Sequence, residues 1–230
     1  MEVEKKAAEA AASSFITGYD PWPGKGFYLK SADGQFRLNI GGYVQTLAQV
    51  EASRNEEAIG AADVAAAIAR HRPSTLKLHR VRLTFDGVLF KDFGFLIQPE
   101  FVGPTATGAA APSGTARIEV AWGTYTYAPW ARIKVGQMRD QYSLENISVP
   151  QDLYFAAQRS LVVRALAPDL QMGILVAGNL KLAGMLPVYY GVGIFNGCGR
   201  VDQCSGSVDN DGDKEFTGRF AFSPQTPFGN

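Results

Sequence analysis

The sequence lacks three features that would assign it to common classes of protein. It contains no run of about 18 consecutive apolar residues, which excludes a transmembrane helix. Its 22 basic residues balance 22 acidic ones, so no overall positive field favours nucleic acid as a partner. It has only two cysteines and two histidines, and neither His71 nor His79 is placed to complete a metal or redox site with them.

Catalytic motifs are missing as well. There is no nucleophile elbow, no HExxH pair, no phosphate-binding glycine loop and no pair of carboxylates in a recognisable catalytic context. The acidic run Asp209–Asp213 resembles the start of a calcium loop, but the bidentate glutamate that such a loop requires is absent. We therefore predict no enzymatic activity, no cofactor and no bound metal.

What the sequence does contain is alternation between apolar and polar residues, in segments of roughly 8–16 residues separated by turn signals. The clearest segment, Thr75–Phe90, has apolar Val81, Leu83, Phe85 and Leu89 between polar Arg80, Arg82, Thr84 and Asp86. In Ala116–Ala128 the same rule sets Ile118, Val120 and Trp122 against Arg117, Glu119 and Ala121. The pattern predicts an all-β protein with about eight long antiparallel strands.

The connections between these strands alternate in length. Short turns are predicted at Lys91–Asp92, at Pro129–Trp130 and near Asn179, and longer connections at 52–74, 103–115, 138–170 and 197–214. Such alternation is typical of an up-and-down transmembrane β-barrel, in which one rim carries tight turns and the other carries loops. A soluble β-sandwich or lipocalin-like barrel is the alternative interpretation of the strands alone.

Several segments of the chain resemble the phosphate-selective porin O and P family of Gram-negative outer membranes. They are His79–Leu83 with Phe93–Phe95, Ala131–Met138 with Tyr142–Glu145, Asp152–Phe155 with Arg159–Leu161 and Ala167–Pro168, and Tyr190–Gly197 with Phe216–Arg219. The resemblance implies a sixteen-stranded barrel in the bacterial outer membrane, assembled as a homotrimer, with one loop folded inward to constrict the pore.

The resemblance also sets the expected domain organisation. Residues 1–25 are predicted to form a helical or flexible tail, because Met1–Ala12 is charged and rich in alanine. Residues 26–230 are predicted to form the β-barrel porin domain. Eight long strands are half of sixteen, so we expect this domain to be incomplete at its C-terminus and the sequence to be an N-terminal fragment.

Basic residues dominate the predicted polar face of the strands. The candidate anion-lining residues are Arg37, Arg80, Arg82, Arg117, Arg132, Lys134 and Arg219. The acidic residues on the same face are Asp86, Glu100, Glu119 and Glu215. Cations along a pore lower the electrostatic barrier to anions, and guanidinium groups present paired donors to phosphate oxygens. The alternative is that arginine and glutamate pair across strands and only hold the wall rigid.

The connection 138–170 is the candidate constriction loop. It carries Arg139, Arg159 and Arg164, with Tyr154 and Phe155 in a helix-like turn, but no lysine. Phosphate-selective members of the family carry lysines near the constriction, so this sequence favours general anion passage. The alternative for Arg159 and Arg164 is a structural role, in helix capping or in pairing with Asp152 or Asp169.

We expect two further sets of residues to have structural roles. Cys198 and Cys204 lie in an outward loop, and in an oxidising compartment they are expected to form a disulfide. Aromatic residues near strand ends are candidates for girdles at the membrane interfaces. They are Tyr28, Phe90, Phe93, Trp122, Tyr127, Trp130 and Tyr190.

These observations predict an outer-membrane porin that passes small anions such as phosphate or polyphosphate by passive diffusion. Its partners would be those anions and outer-membrane lipid, with no nucleic acid. The alternative function is a structural barrel or adhesin that acts through its outer loops without selective transport.

Overall fold

The computed structural model describes residues 15–20, 26–49, 75–102, 116–139, 141–143, 145, 160–167, 170–182, 186–197 and 212–222. These residues form one ten-stranded antiparallel sheet in which strand order follows chain order. The strands are β1 Phe15–Asp20, β2 Gly26–Ser31, β3 Arg37–Gln49, β4 Thr75–Leu89, β5 Phe93–Glu100, β6 Arg117–Ala128, β7 Ala131–Arg139, β8 Leu170–Leu182, β9 Leu186–Phe195 and β10 Glu215–Phe222. A six-residue helix, α1 Leu161–Leu166, lies between β7 and β8.

The predicted all-β, up-and-down architecture is confirmed. Every strand pairs antiparallel with its neighbours in sequence, and β1 and β10 are the outer strands of the sheet in the described part of the chain. No described helix is both long and apolar enough to span a bilayer.

Two details of the strand prediction are wrong. Phe15–Asp20, assigned to the tail, is a strand, because its backbone pairs with the edge of β2 over all six residues. Asn179, assigned to a turn, lies inside β8 opposite Tyr189, and its N–H donates to the Pro129 carbonyl oxygen at 3.0 Å. The alternation simply continues through Asn179 to Leu182, so the β8–β9 turn comes later.

The sheet has a polar face and an apolar face, and β-bulges decide which residues belong to each. In β4 the register shifts at His79, which moves Leu76 and Leu78 onto the same face as Val81. In β6 the register shifts at Glu119, so Val120 and Trp122 join the polar face. The predicted apolar placement of these two residues is therefore wrong, because an extra residue reverses the alternation beyond it.

Burial on the two faces is the reverse of that in a water-soluble protein. Large apolar residues of the outward face are widely exposed, including Leu76 at 77% and Phe216 at 75%. Polar residues of the other face are buried, including Gln171 at 1% and Glu100 at 2%. Exposed apolar area of this extent marks a surface that meets lipid or another apolar partner.

Aromatic side chains gather where the short turns lie. The Phe36 and Phe90 rings meet at 4.8 Å, Phe93 and Tyr125 at 4.9 Å, and Tyr127 and Trp130 at 6.0 Å. The Tyr190 hydroxyl adds a hydrogen bond to the Trp130 carbonyl oxygen at 2.7 Å. Of the aromatic residues predicted for girdles, Tyr28 and Trp122 are exceptions, because their registers put them on the polar face.

The β2–β3 turn is organised by Asp33. Its carboxylate accepts hydrogen bonds from the Ser31 hydroxyl and from the Gln35 backbone N–H. Both bonds favour the charged form and lower the pKa of Asp33, the Ser31 hydroxyl having the larger effect. The predicted Asp33–Gly34 turn thus connects β2 to β3, with Gly34 at a φ of 71°.

Gly136 is a backbone constraint in β7. It has a φ of +134°, and a Cβ there would lie 2.7 Å from the Trp122 Cα and closer still to the Ala121 carbonyl oxygen. The close approach of β6 and β7 therefore requires a residue without a side chain at this position.

We expect Gly136→Ala to lower the free energy of unfolding by about 2 kcal/mol, the usual cost of forcing a side chain into a strained backbone conformation. Gly218→Ala in β10 is the matched control, since a Cβ there meets nothing within 4 Å. Urea unfolding in lipid vesicles, followed by tryptophan fluorescence, measures both variants. Equal stabilities would contradict the constraint.

Candidate functional site

The polar face brings the predicted basic residues to one side of the sheet but divides them into groups. Arg37, Arg80 and Arg82 lie on β3 and β4, and Arg117 lies on β6. Arg132 and Lys134 lie on β7, and Arg219 lies on β10. Their contacts separate the cations that are paired with carboxylates from those for which the described residues provide no carboxylate partner.

Arg82 is the centre of a buried ion network that joins β4 to β6. Its Nε lies 2.5 Å from Glu100 Oε2, and its Nη2 lies 2.6 Å from Glu119 Oε1. The side chains of all three residues are at most 4% exposed. Glu100 also accepts hydrogen bonds from the backbone N–H groups of Val81 and Val102. A buried charge is tolerated only when it is paired and hydrogen-bonded in this way.

Two further arginines complete the network around Glu119. Arg117 Nη2 lies 2.9 Å from Glu119 Oε2, and Arg139 Nη2 lies 3.6 Å from Glu119 Oε1. Arg117 thus forms an ion pair with Glu119. This is the structural role that the sequence suggested as the alternative to anion lining. Arg139, predicted to lie in the constriction loop, is instead the last residue of β7.

The surroundings of Arg82 therefore differ from the sequence-based expectation that its guanidinium group contacts anions. At 4% exposed and bound to two carboxylates, it holds β4, β5 and β6 together and has almost no surface for a permeating ion. Its Nη1 and the Tyr43 hydroxyl are buried without a hydrogen-bond partner in the described part of the chain. Sequence reasoning could not foresee this, because Glu119 reaches Arg82 only through the bulge in β6.

Arg37 and Arg80 both contact neutral neighbours, and Arg37 also has a longer ion pair. Arg37 Nε donates to Asn39 Oδ1 at 2.8 Å, and its guanidinium lies 4.7 Å above the Tyr28 ring. Arg37 also lies 3.7 Å from Asp20 of β1. Arg80 Nη1 donates to Gln45 Oε1 at 2.6 Å. These contacts orient both arginines on the polar face.

Arg132, Lys134 and Arg219 form the second group, which we call the open basic cluster. No carboxylate in the described part of the chain lies within ion-pair distance of any of the three. In register, Arg132 pairs with Ala177, Ala177 with Gly191, and Gly191 with Arg219. Arg132 and Arg219 thus lie at one level, about 14 Å apart across three strand spacings, with Ala177 and Gly191 at the paired positions between them.

Lys134 is one position further along the same face. Its Nζ lies 4.1 Å from the centre of the Trp122 ring, a cation–π contact. The ring supplies favourable electrostatics without a negative charge, so this contact does not neutralise the ammonium group. Trp122 can do this only because the bulge at Glu119 turns it to the polar face.

Part of the β7–β8 connection lies against the polar face. The Tyr189 hydroxyl donates to Gln141 Oε1 at 2.8 Å. Glu145 accepts hydrogen bonds from the Ser160 backbone N–H and from its hydroxyl, and Ser160 caps α1. The helix-like turn predicted around Tyr154 and Phe155 lies outside the described residues, so the structure does not test that prediction.

The structure does not describe the side chains of several predicted site residues. Tyr154, Phe155, Arg159, Cys198 and Cys204 lie outside the described residues, and for Arg164 only its place in α1 is described. Within the described ranges, no group of three or more histidine, cysteine or acidic residues is arranged to hold a metal ion.

Comparison with known families gives one match. The family model described as phosphate-selective porin O and P matches residues 58–230, which is more than half of the chain. No curated protein matches the chain. The matched region contains β4 to β10, and therefore both the buried ion network and the open basic cluster.

We expect Glu119→Gln to cost about 3 kcal/mol of stability, because it leaves a buried guanidinium with one carboxylate instead of two. Arg117→Met removes the exposed partner of Glu119, which keeps its bond to Arg82, and should cost less than about 1 kcal/mol. Urea unfolding in lipid vesicles compares the two variants. Similar losses would contradict the central role of Arg82.

Proposed function

The chain belongs to the phosphate-selective porin O and P family, and we propose that it forms an outer-membrane channel through which small anions diffuse passively. The proposed permeating species are inorganic phosphate, polyphosphate and other small anions. We extend the proposal to assembly as a homotrimer in the bacterial outer membrane, as the family resemblance implies.

The reversed burial of the two faces supports a membrane location. Strands with apolar residues on one side and polar residues on the other suit a barrel wall between lipid and a hydrated lumen. A water-soluble sandwich would bury Phe216 and Leu76 rather than Gln171 and Glu100. In this arrangement the network around Arg82 stabilises the wall from the lumen side.

The open basic cluster is the observation that carries the proposed anion selectivity. Arg132, Lys134 and Arg219 project from a face on which the nearest strands contribute Ala177 and Gly191. Three positive charges without carboxylate partners among the described residues lower the energy of an anion there and raise that of a cation. Guanidinium groups also match the oxygen geometry of phosphate.

Passive diffusion requires that binding at this cluster be weak. The three side chains are half-buried on a face that the proposed lumen would hydrate, where charges interact less strongly than in a dry interior. An anion would therefore gain enough energy to enter and too little to be retained. The same argument favours small anions in general over tight binding of phosphate alone.

We expect replacement of Arg132, Lys134 and Arg219 by glutamate to lower the chloride-over-potassium permeability ratio by roughly tenfold, the equivalent of about 1.4 kcal/mol. Lys91→Glu is the control, since it reverses one charge, as each of the three replacements does, in the β4–β5 turn and away from the polar face. Reversal potentials in planar bilayers under a salt gradient measure the ratio.

Three results would contradict the proposal. They are a wild-type protein that forms no channel, a channel that prefers potassium, and a triple variant whose ratio equals that of Lys91→Glu. The first result would favour the alternative function, a structural barrel or adhesin that acts through its loops.

A further inference from the structure

The hydrogen bond between Tyr189 and Gln141 joins parts of the chain that start from opposite ends of the sheet. Tyr189 pairs with Asn179, whose N–H donates to Pro129 in the short β6–β7 turn. Gln141 follows β7 by two residues, at the end where Arg139 pairs with Leu170 and the long connection begins. For the two side chains to meet at 2.8 Å, both must extend along the polar face toward its middle.

Gly191 marks the place where they meet. A Cβ at this position would lie 3.0 Å from the Tyr189 hydroxyl oxygen and 3.5 Å from Gln141 Cγ. Gly191 pairs in register with Arg219 on one side and with Ala177 on the other, and Ala177 pairs with Arg132. The contact therefore lies at the level of the open basic cluster, between its two arginines.

The residues beneath the contact are covered. Leu175, Phe195 and Met138 are 2%, 1% and 3% exposed, with Tyr189 and Trp122 packed against them. All three lie on the polar face of β7, β8 and β9. Gln141, which lies outside the sheet, reaches this part of the polar face through its bond to Tyr189.

We propose that the Tyr189–Gln141 hydrogen bond is a positioning contact that holds the start of the β7–β8 connection over Gly191, and so sets the width of the passage between Arg132 and Arg219. This inference rests on the proposed channel function. Neither side chain carries charge. The contact therefore narrows the passage beside the open basic cluster without changing the electrostatic field of that cluster. Tyr189 and Gln141 are positioning residues, and Arg132 and Arg219 remain the groups that meet the ion.

The Glu145–Ser160 contact strengthens this arrangement. Glu145 follows Gln141 by four residues and binds both the backbone N–H and the hydroxyl of Ser160. Ser160 in turn accepts from the Val163 N–H at the start of α1. The outgoing and returning parts of the connection are thus tied to each other, so holding Gln141 also restrains the returning part.

Tyr189→Phe tests the contact, because it removes only the hydroxyl and keeps the ring. In single-channel recordings we expect occupancy of a wider conductance level to rise about fivefold, the population change equivalent to one ordinary net hydrogen bond. The chloride-over-potassium ratio of that wider level should be lower, because the ion passes further from the cluster. Gln141→Leu should act in the same way, and the double variant should be no worse than either single one.

Tyr190→Phe is the matched control. It makes the same chemical change one residue along β9, where the lost hydroxyl binds the Trp130 carbonyl oxygen on the other face of the sheet. We expect its conductance levels to equal those of the wild type. Wild-type behaviour of Tyr189→Phe, or an equal effect of Tyr190→Phe, would overturn the proposal.

A cross-link provides a second test if Tyr189→Phe does not fold. Gly191→Cys with Gln141→Cys, in a Cys198→Ser and Cys204→Ser background, places the new side chains close enough for a disulfide. The oxidised protein should stay in the narrow level, and reduction should increase occupancy of the wider one. Failure of the bridge to form, or identical recordings before and after reduction, would contradict the contact.

The two proposals fail in different ways. A wild-type channel without anion preference, or no channel at all, removes the proposed function. A wild-type anion channel whose Tyr189→Phe variant behaves like Tyr190→Phe leaves the function in place and removes only the positioning contact.

Discussion

The whole structure depends on one constraint: each strand must present alternate side chains to two different surroundings. Apolar side chains such as Phe216 and Val192 are left exposed on one face, while Glu100, Glu119 and Gln171 are buried on the other. The polar face carries the charges, so ionic interactions must organise much of it, beside the small apolar cluster of Met138, Leu175, Ala177 and Phe195. The network around Arg82 does so by linking three neighbouring strands through two carboxylates.

That network divides the basic residues of the polar face by role. Carboxylates surround Arg82, Arg117 and Arg139, which leaves these arginines engaged within the wall. On β7 and β10 no described carboxylate pairs with Arg132, Lys134 or Arg219, and the strands between them contribute small residues. The sheet thus has a rigid half and an open basic half. Under the proposed function the first maintains the shape of the wall and the second attracts the anion.

Much of this arrangement follows from the sequence, and the exceptions have identifiable causes. Strict alternation in β4, β7 and β10 correctly predicted which residues share a face, including all three members of the open basic cluster. Bulges cannot be read from alternation, so the faces of Val120 and Trp122 were predicted wrongly beyond Glu119. The burial of Arg82 and the Tyr189–Gln141 contact depend on neighbours distant in sequence, which a single strand pattern does not contain.

The central claim is that the apolar face meets lipid and the polar face meets water. Adjacent residues of β10 test it directly: spin labels at Phe220 and Arg219, introduced through cysteine in the vesicle-inserted protein, should report opposite surroundings. We predict greater accessibility to oxygen at position 220 and to a water-soluble nickel chelate at position 219. The reverse order, or equal access to the nickel chelate at both positions, would contradict the account.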